Sequence, residues 1–508
     1  MWLTPFLLPL AAVASALPSA SKSSQPTPSI TLGYTTVIPT AGSYSLGYYK
    51  YQNIRFAAVP TGDLRFAKPQ WPPVEEAIND GTLADADVDC ASTEDCLYLD
   101  IWAPANAHGK KLPVMVWSYG GGFTSGSKSD NTPEGLFALN KEFIFVAYNY
   151  RLGITGNANG PRLPHEGGTS NVALYDAQHA FQWVRKYIGA FGGDPNRITA
   201  VGFSAGASQT IFQMTRFAGR AEQLYNQAYI MSPGYVPGAG HHQAEMFWRN
   251  VSTAVGCDGG HLDCMRGVWF EELGSAASDV VGKYDYQLQP RVDGDFVGDT
   301  YEAQLYRNCF NFTGPLVITH EKHENNSQAW PGVSTTADIP KELRRFFPSI
   351  TDDVVGRLLE LYPESDYSSP GLRFADMKQS FDMTAHNYAL TRALGNQTWN
   401  GMVDLGKATH GTDQSYYWYS TYSLSGNGTT SGFGSSMPID TSVARKMQKY
   451  LLSFVHTGNP NTMWPNDKIY WPKYGSNATQ IVFNSTIHLE KDNLANAKSE
   501  HWNEALWY

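Results

Sequence analysis

The sequence predicts an α/β fold: a large, mostly parallel central sheet flanked by helices, with insertions forming a pocket. Short apolar runs of strand length alternate with helical stretches, an order that suits a parallel sheet covered on both faces. At 508 residues, 42% hydrophobic and 17% charged, the chain can fill a large core, which excludes a disordered or fibrous protein. No linker or composition break divides it, so residues 17–508 read as one domain with insertions.

From the N-terminus, an apolar stretch from Trp2 to Val13 ends in Ala14-Ser15-Ala16, a small-x-small cleavage pattern. Residues 1–16 therefore read as a secretory signal peptide, although the segment before the apolar stretch lacks Lys and Arg. Leu112-Pro113-Val114-Met115-Val116-Trp117 runs into Gly120-Gly121-Gly122, as a buried strand enters a turn, and Phe143 to Tyr148 forms a second such run. Ala177, Phe181, Val184 and Ile188 recur at helical spacing. Arg197 to Val201 reads as a strand and Ala205 to Met214 as a helix. Pro315 to Thr319 reads as a strand followed by a polar turn carrying Glu321 and Glu324. His410 lies in the loop Ala408 to Asp413, ahead of Tyr416-Tyr417-Trp418-Tyr419.

The balance of 47 acidic against 37 basic residues, net −10, argues against nucleic acid or an anionic membrane as partner. Past the leader no run approaches the ~18 apolar residues of a membrane span, and the tail Asn503 to Tyr508 is no anchor signal, so a soluble, secreted, extracellular protein is expected. Five cysteines fall as Cys90/Cys96, Cys257/Cys264 and a lone Cys309. Two local disulfides and one unpaired, buried thiol are expected. Sequons at Asn250, Asn311, Asn396, Asn427, Asn477 and Asn484 are candidate glycosylation sites.

Gly202-Phe203-Ser204-Ala205-Gly206 is the one G-x-S-x-G of the chain, between a predicted strand and a predicted helix. That is the setting of a nucleophile elbow, where small residues let the helix approach the strand and the serine stands exposed. The amide of Ala205, at the helix start, can then face an oxyanion. A serine needs a histidine to take its proton, and the histidine a carboxylate to fix its tautomer. On an α/β-hydrolase sheet they follow in the order Ser, Asp/Glu, His. Glu321 and Glu324 are the acid candidates, but among 13 histidines spacing alone does not select His410. His320 and His323 flank Glu324 without a plausible third ligand, so no metal is expected.

The chain resembles the type-B carboxylesterase/lipase family, which includes the cholinesterases, from about Gly33 onward. The blocks that carry the resemblance are Ile54-Arg55-Phe56-Ala57 with Leu64-Arg65-Phe66, Glu94-Asp95-Cys96-Leu97-Tyr98-Leu99, and Tyr119-Gly120-Gly121-Gly122-Phe123. Asn149-Tyr150-Arg151-Leu152-Gly153, Phe191-Gly192-Gly193-Asp194-Pro195-Asn196, and Thr457-Gly458-Asn459-Pro460-Asn461 with Trp471-Pro472 also match. The resemblance implies an α/β-hydrolase fold with Ser204 as nucleophile, Glu324 as triad acid and His410 as general base. Gly121, Gly122 and Ala205 would then supply the oxyanion hole, with Glu321 the fallback acid.

Two departures stand out: Phe203 where the family usually has Glu, and Asn325-Asn326-Ser327 where Gly usually follows the acid. Asn325 heads a seventh sequon and is expected to stay unmodified beside the acid. In lipase members the first disulfide encloses a long flap. Here only Ala91 to Asp95 separate the cysteines, so soluble or amphiphilic esters are expected rather than triglyceride. Asp85 to Asp95 holds no tryptophan for a choline site. The implied function is a secreted serine carboxylesterase working through an acyl-serine, with no cofactor. The alternatives are a dedicated biosynthetic esterase or acyltransferase with the same triad, and a non-catalytic adhesion or scaffold member. The oligomeric state is not set by these residues.

Overall fold

Apolar runs that must bury both faces stack side by side, and here they form one eleven-stranded sheet. The computed structural model describes residues 28–236, 240–421 and 439–504. The expected signal peptide and the sequon at Asn427 lie outside them. The strands are β1 (Ala41–Ser43), β2 (Tyr48–Arg55), β3 (Tyr98–Pro104), β4 (Leu112–Ser118), β5 (Ile144–Tyr148), β6 (Gly193–Phe203), β7 (Gln227–Met231), β8 (Leu316–Glu321), β9 (Trp399–Val403), β10 (Thr479–Phe483) and β11 (His488–Lys491). Their spatial order is β11-β10-β9-β8-β7-β6-β4-β5-β3-β2-β1. From β5 across to β10 all pairings are parallel, and the strands at both edges pair antiparallel.

The expected helices appear as α1 (Val172–Tyr187) and α2 (Ala205–Thr215), joined where Gln213 donates to the Leu174 carbonyl at 2.9 Å. Two further helices matter below, α3 (Phe270–Tyr284) and α4 (Thr441–Thr457). Gln227, opening β7, donates to the Phe454 and Val455 carbonyls of α4 at 2.8 and 3.0 Å. Trp117, Trp183, Ile211, Phe212 and Phe454 are buried in one continuous core. Each such large apolar side chain contributes ~1.5–3 kcal/mol by leaving water. Among the described residues no helix is long and apolar enough to cross a membrane.

Two sequence blocks far apart meet to pin a short loop. Cys90 and Cys96 are bonded, and the loop between them is gripped by two arginines. Arg65 makes paired hydrogen bonds to Glu94 at 2.7 and 2.5 Å, and Arg55 to Asp95 at 2.5 and 3.0 Å. Two-pronged guanidinium–carboxylate pairs of this kind fix orientation as well as position. The second expected disulfide, Cys257–Cys264, is also formed.

Two expectations are corrected. Cys309 is unpaired but half-buried rather than buried, because it lies just past a short helix in a mostly exposed stretch. Glu321 does not lie in the turn after β8. It ends the strand, fully buried and opposite Val403 in parallel register, and Glu324 alone occupies the turn.

Candidate active site

Ser204 joins β6 to α2 with φ 54° and ψ −124°, a backbone conformation that costs a non-glycine residue about 1–3 kcal/mol. The flanking glycines make that turn possible. A Cβ at Gly202 would lie 2.5 Å from the Gly206 carbonyl, and one at Gly206 would lie 2.1 Å from the Ser118 carbonyl. The serine backbone is tied on both sides. Its amide donates to Met231 at 3.0 Å, and its carbonyl accepts from Ser208 and Gly234 at 3.0 and 3.3 Å.

Strand register brings the other groups to it. Ser118 pairs with Gly202, so the glycines that follow β4 lie beside Ser204. A Cβ on Gly120 would stand 2.9 Å from that of the serine. Beyond the β8–β9 pairing, a further bridge joins His323 to Thr409, and the His323 amide donates to the Ala408 carbonyl at 2.8 Å. Glu324 and His410 thereby face each other. His410 Nδ1 lies 2.6 Å from Glu324 Oε2, and its Nε2 lies 2.8 Å from Ser204 Oγ. An anionic Glu324 can only accept, which assigns the proton to Nδ1 and leaves Nε2 free to take the serine proton. The second Glu324 oxygen accepts from the Glu321 amide at 2.8 Å.

Burial opposes a charge on His410. The Glu324 charge and hydrogen bond, with Asp413 and Asp382 behind them, outweigh it and hold the imidazole above its ordinary range. A base must be neutral to accept a proton, so kcat/KM should fall as pH drops through this raised value. Glu324→Gln removes the main opposing influence and leaves burial in control. The acid limb of the residual activity should then move below the ordinary imidazole range, read from kcat/KM against pH. A limb that stays in place would separate Glu324 from the titration.

Glu321, the other acid candidate, faces elsewhere and accepts from the Asp413 amide at 2.7 Å. Burial, then the charges of Asp413 and Glu324, push its carboxyl well above the usual range. Burial likewise pushes Asp413 up to about 6. The surroundings of Glu321 thus favour its protonated form. The pairing of Glu321 with Asp413 was not anticipated from the sequence, and the short spacing from His410 to Asp413 is the only local hint of it.

The Gly121 carbonyl accepts from the Thr124 and Ser125 amides, both at 3.1 Å. Across a planar trans peptide the Gly122 N–H points the opposite way, and neither the Gly121 nor the Gly122 amide has a protein acceptor among the described residues. Ala205 is the first residue of α2, where an amide has no partner within its own helix. Phe203 lies against the imidazole, its ring stacked on His410 at 4.8 Å and 28°. An aromatic face so placed favours the imidazolium. Gly234 borders the Ser204 hydroxyl and packs against Met383: a Cβ on Gly234 would lie 3.4 Å from Ser204 Oγ and 3.1 Å from the Met383 methyl. Neither residue carries a sequence signal, since one follows β7 in a loop and the other lies in a helical insertion.

The remaining candidates fall away from this centre. His320 is buried near Asp492, and His323 contacts Asn326 at 3.0 Å. Among the described residues no three metal-ligating side chains cluster. Of the sequons, Asn477 is exposed, while Asn250, Asn396 and Asn484 are half-buried. The Asn311 side-chain amide is bonded to the Ala221 carbonyl at 2.8 Å, and that of Asn325 to Asp382 at 3.2 Å.

The chain is similar to known proteins in both sequence and fold. The carboxylesterase family model matches residues 36–355 and 349–502. A secreted lipase of Arthroderma benhamiae is 29% identical over 405 residues, 76% of each chain. Carboxylesterase patB of Penicillium expansum is 26% identical, covering 85% of this chain and 88% of that protein. The crystal structure of Aspergillus niger EstA superposes with a TM-score of 0.81 at 22% identity, over 94% of this chain and 98% of the other, and shares the fold.

Proposed function

Because the chain belongs to the carboxylesterase family, we propose that this ester-hydrolysing serine hydrolase is exported and works through an acyl-serine on Ser204. The observation that carries the proposal is the unbroken line from Ser204 Oγ to His410 to Glu324, with bonds of 2.8 and 2.6 Å. His410 takes the serine proton as Oγ attacks the ester carbonyl. The resulting oxyanion is met by the amides of Gly121, Gly122 and Ala205. His410 then protonates the leaving alcohol, and water repeats the sequence on the acyl-enzyme. Glu324 holds the imidazole in its tautomer and offsets the charge it acquires. The short Cys90–Cys96 loop favours soluble or amphiphilic esters over triglyceride. Export rests on the N-terminal leader and on the secreted relative.

The test is covalent. A fluorophosphonate should give one adduct on Ser204, located by digestion and mass spectrometry, and labelling should fall at low pH as His410 gains a proton. Folded protein that takes no label at Ser204 would overturn the proposal.

A further inference from the structure

The end of α3, the segment leading from it to Arg291, and the stretch around Phe346 line a cavity of about 330 Å³ that also reaches Val236. Val236, Tyr286, Trp330 and Phe346 supply the apolar part of its wall, and Arg291, Arg345 and Asp285 the charged part. Arg291 is 3% exposed. Its Nη2 donates to the Gln287 carbonyl at 2.9 Å, and the Tyr286 ring faces the guanidinium at 5.4 Å. Nε and Nη1 are buried with no acceptor among the described residues. The other arginine of the wall, Arg345, is already paired with Asp285 and, at 3.2 Å, with Glu342. A guanidinium buried without a counter-charge is costly to a fold.

The backbone here is held in place whatever the side chain does. Asn171 accepts from the Arg291 amide at 2.8 Å and donates to its carbonyl at 2.7 Å. Gln289 likewise accepts from the Val236 amide at 3.3 Å and donates to its carbonyl at 2.5 Å. Val236 lies two residues from Gly234, the residue that borders the Ser204 hydroxyl. Two residues of chain span at most about 7 Å. Val236 is thus the part of the cavity wall that the chain holds next to the serine. The chemistry of the cavity suits an apolar spacer ending in a planar anion, which a guanidinium binds through two parallel N–H groups.

We propose that Arg291 marks a substrate subsite for a carboxylate, so that the preferred ester carries a free acid group a few carbons from its scissile bond. The inference deepens the ester-hydrolase reading and rests on it.

The test compares kcat/KM for mono-p-nitrophenyl adipate and p-nitrophenyl hexanoate, which have equal acyl length, in the wild type, Arg291→Met and Arg291→Lys. The wild type should prefer the acid-bearing ester. Arg291→Met should cut that preference about 10–100-fold, mainly through KM, with hexanoate turnover nearly unchanged. Lysine, which keeps the charge but loses the fork, should fall between. A second pair, para-acetoxybenzoate and its methyl ester, moves the acid to the alcohol side. The pair that responds to Arg291 identifies the half of the ester that enters the cavity. Arg291→Met should also melt at or above the wild-type temperature, because it removes an unpaired buried charge.

A readout without turnover separates the two readings. Adipate should raise the melting temperature of Ser204→Ala protein but not of Ser204→Ala/Arg291→Met. If that difference appears while the wild type cleaves no ester, the subsite stands and the hydrolase reading fails. If neither ester preference depends on Arg291 and adipate stabilises neither protein, the subsite is overturned.

Discussion

Replacing Ser204 by alanine is expected to lower kcat for ester hydrolysis by about a millionfold, the loss seen when the nucleophile of such a triad is removed. Among the described residues the Ser204 hydroxyl bonds to His410, and the backbone bonds to Met231, Ser208 and Gly234 do not need it. The variant should therefore keep its melting temperature while losing turnover and fluorophosphonate labelling together. Turnover of short-chain p-nitrophenyl esters within about a hundredfold of wild type would place the nucleophile elsewhere.

The second large effect belongs to a residue with no reactive group. Gly121→Ala should lower kcat by about 10²–10³, the loss attached to one oxyanion donor, with KM nearly unchanged. Gly121 has φ 107°, and a Cβ there would lie 2.2 Å from the Ser125 carbonyl oxygen. That carbonyl belongs to rigid backbone, so the turn must open and its amides must leave their positions. Gly122→Ala is the internal control. Its φ of 61° is left-handed, but no atom lies within 4 Å of a Cβ built there. It should cost about 1 kcal/mol of stability and much less activity. If the two variants behave alike, the steric account of this loop is wrong.

How far the sequence discloses the site depends on how local each determinant is. The elbow was legible because its requirement sits within five residues: Gly202 and Gly206 are small where any Cβ would strike backbone. The core strands were legible for the same reason, although β6 starts earlier than its composition suggests. Gly193 joins the sheet opposite Leu112, and Gly-Gly-Asp-Pro alone reads as a turn. Choosing Glu324 over Glu321 was not a local question. Both lie in one short segment, and the decision is made by the β8–β9 register, whose partner strand comes about eighty residues later. His410 was singled out by family resemblance rather than by spacing. Arg291 was invisible, because a lone arginine in a polar stretch looks like surface until Asn171 is seen to hold its backbone.

The register that unites the three groups also bears on when the protein becomes active. Ser204 and His410 are 206 positions apart, and His410 and Glu324 are 86 apart. None of the three meets another until β6, β8 and β9 have found their places in the sheet. Contacts of such long range form late, after the entropy of closing large loops has been overcome. A chain still being synthesised carries the strained serine without its base, and it is inert toward any ester it meets. Ester turnover in a refolding experiment is thus a stringent reporter of the complete sheet, and it should lag behind the recovery of helical signal.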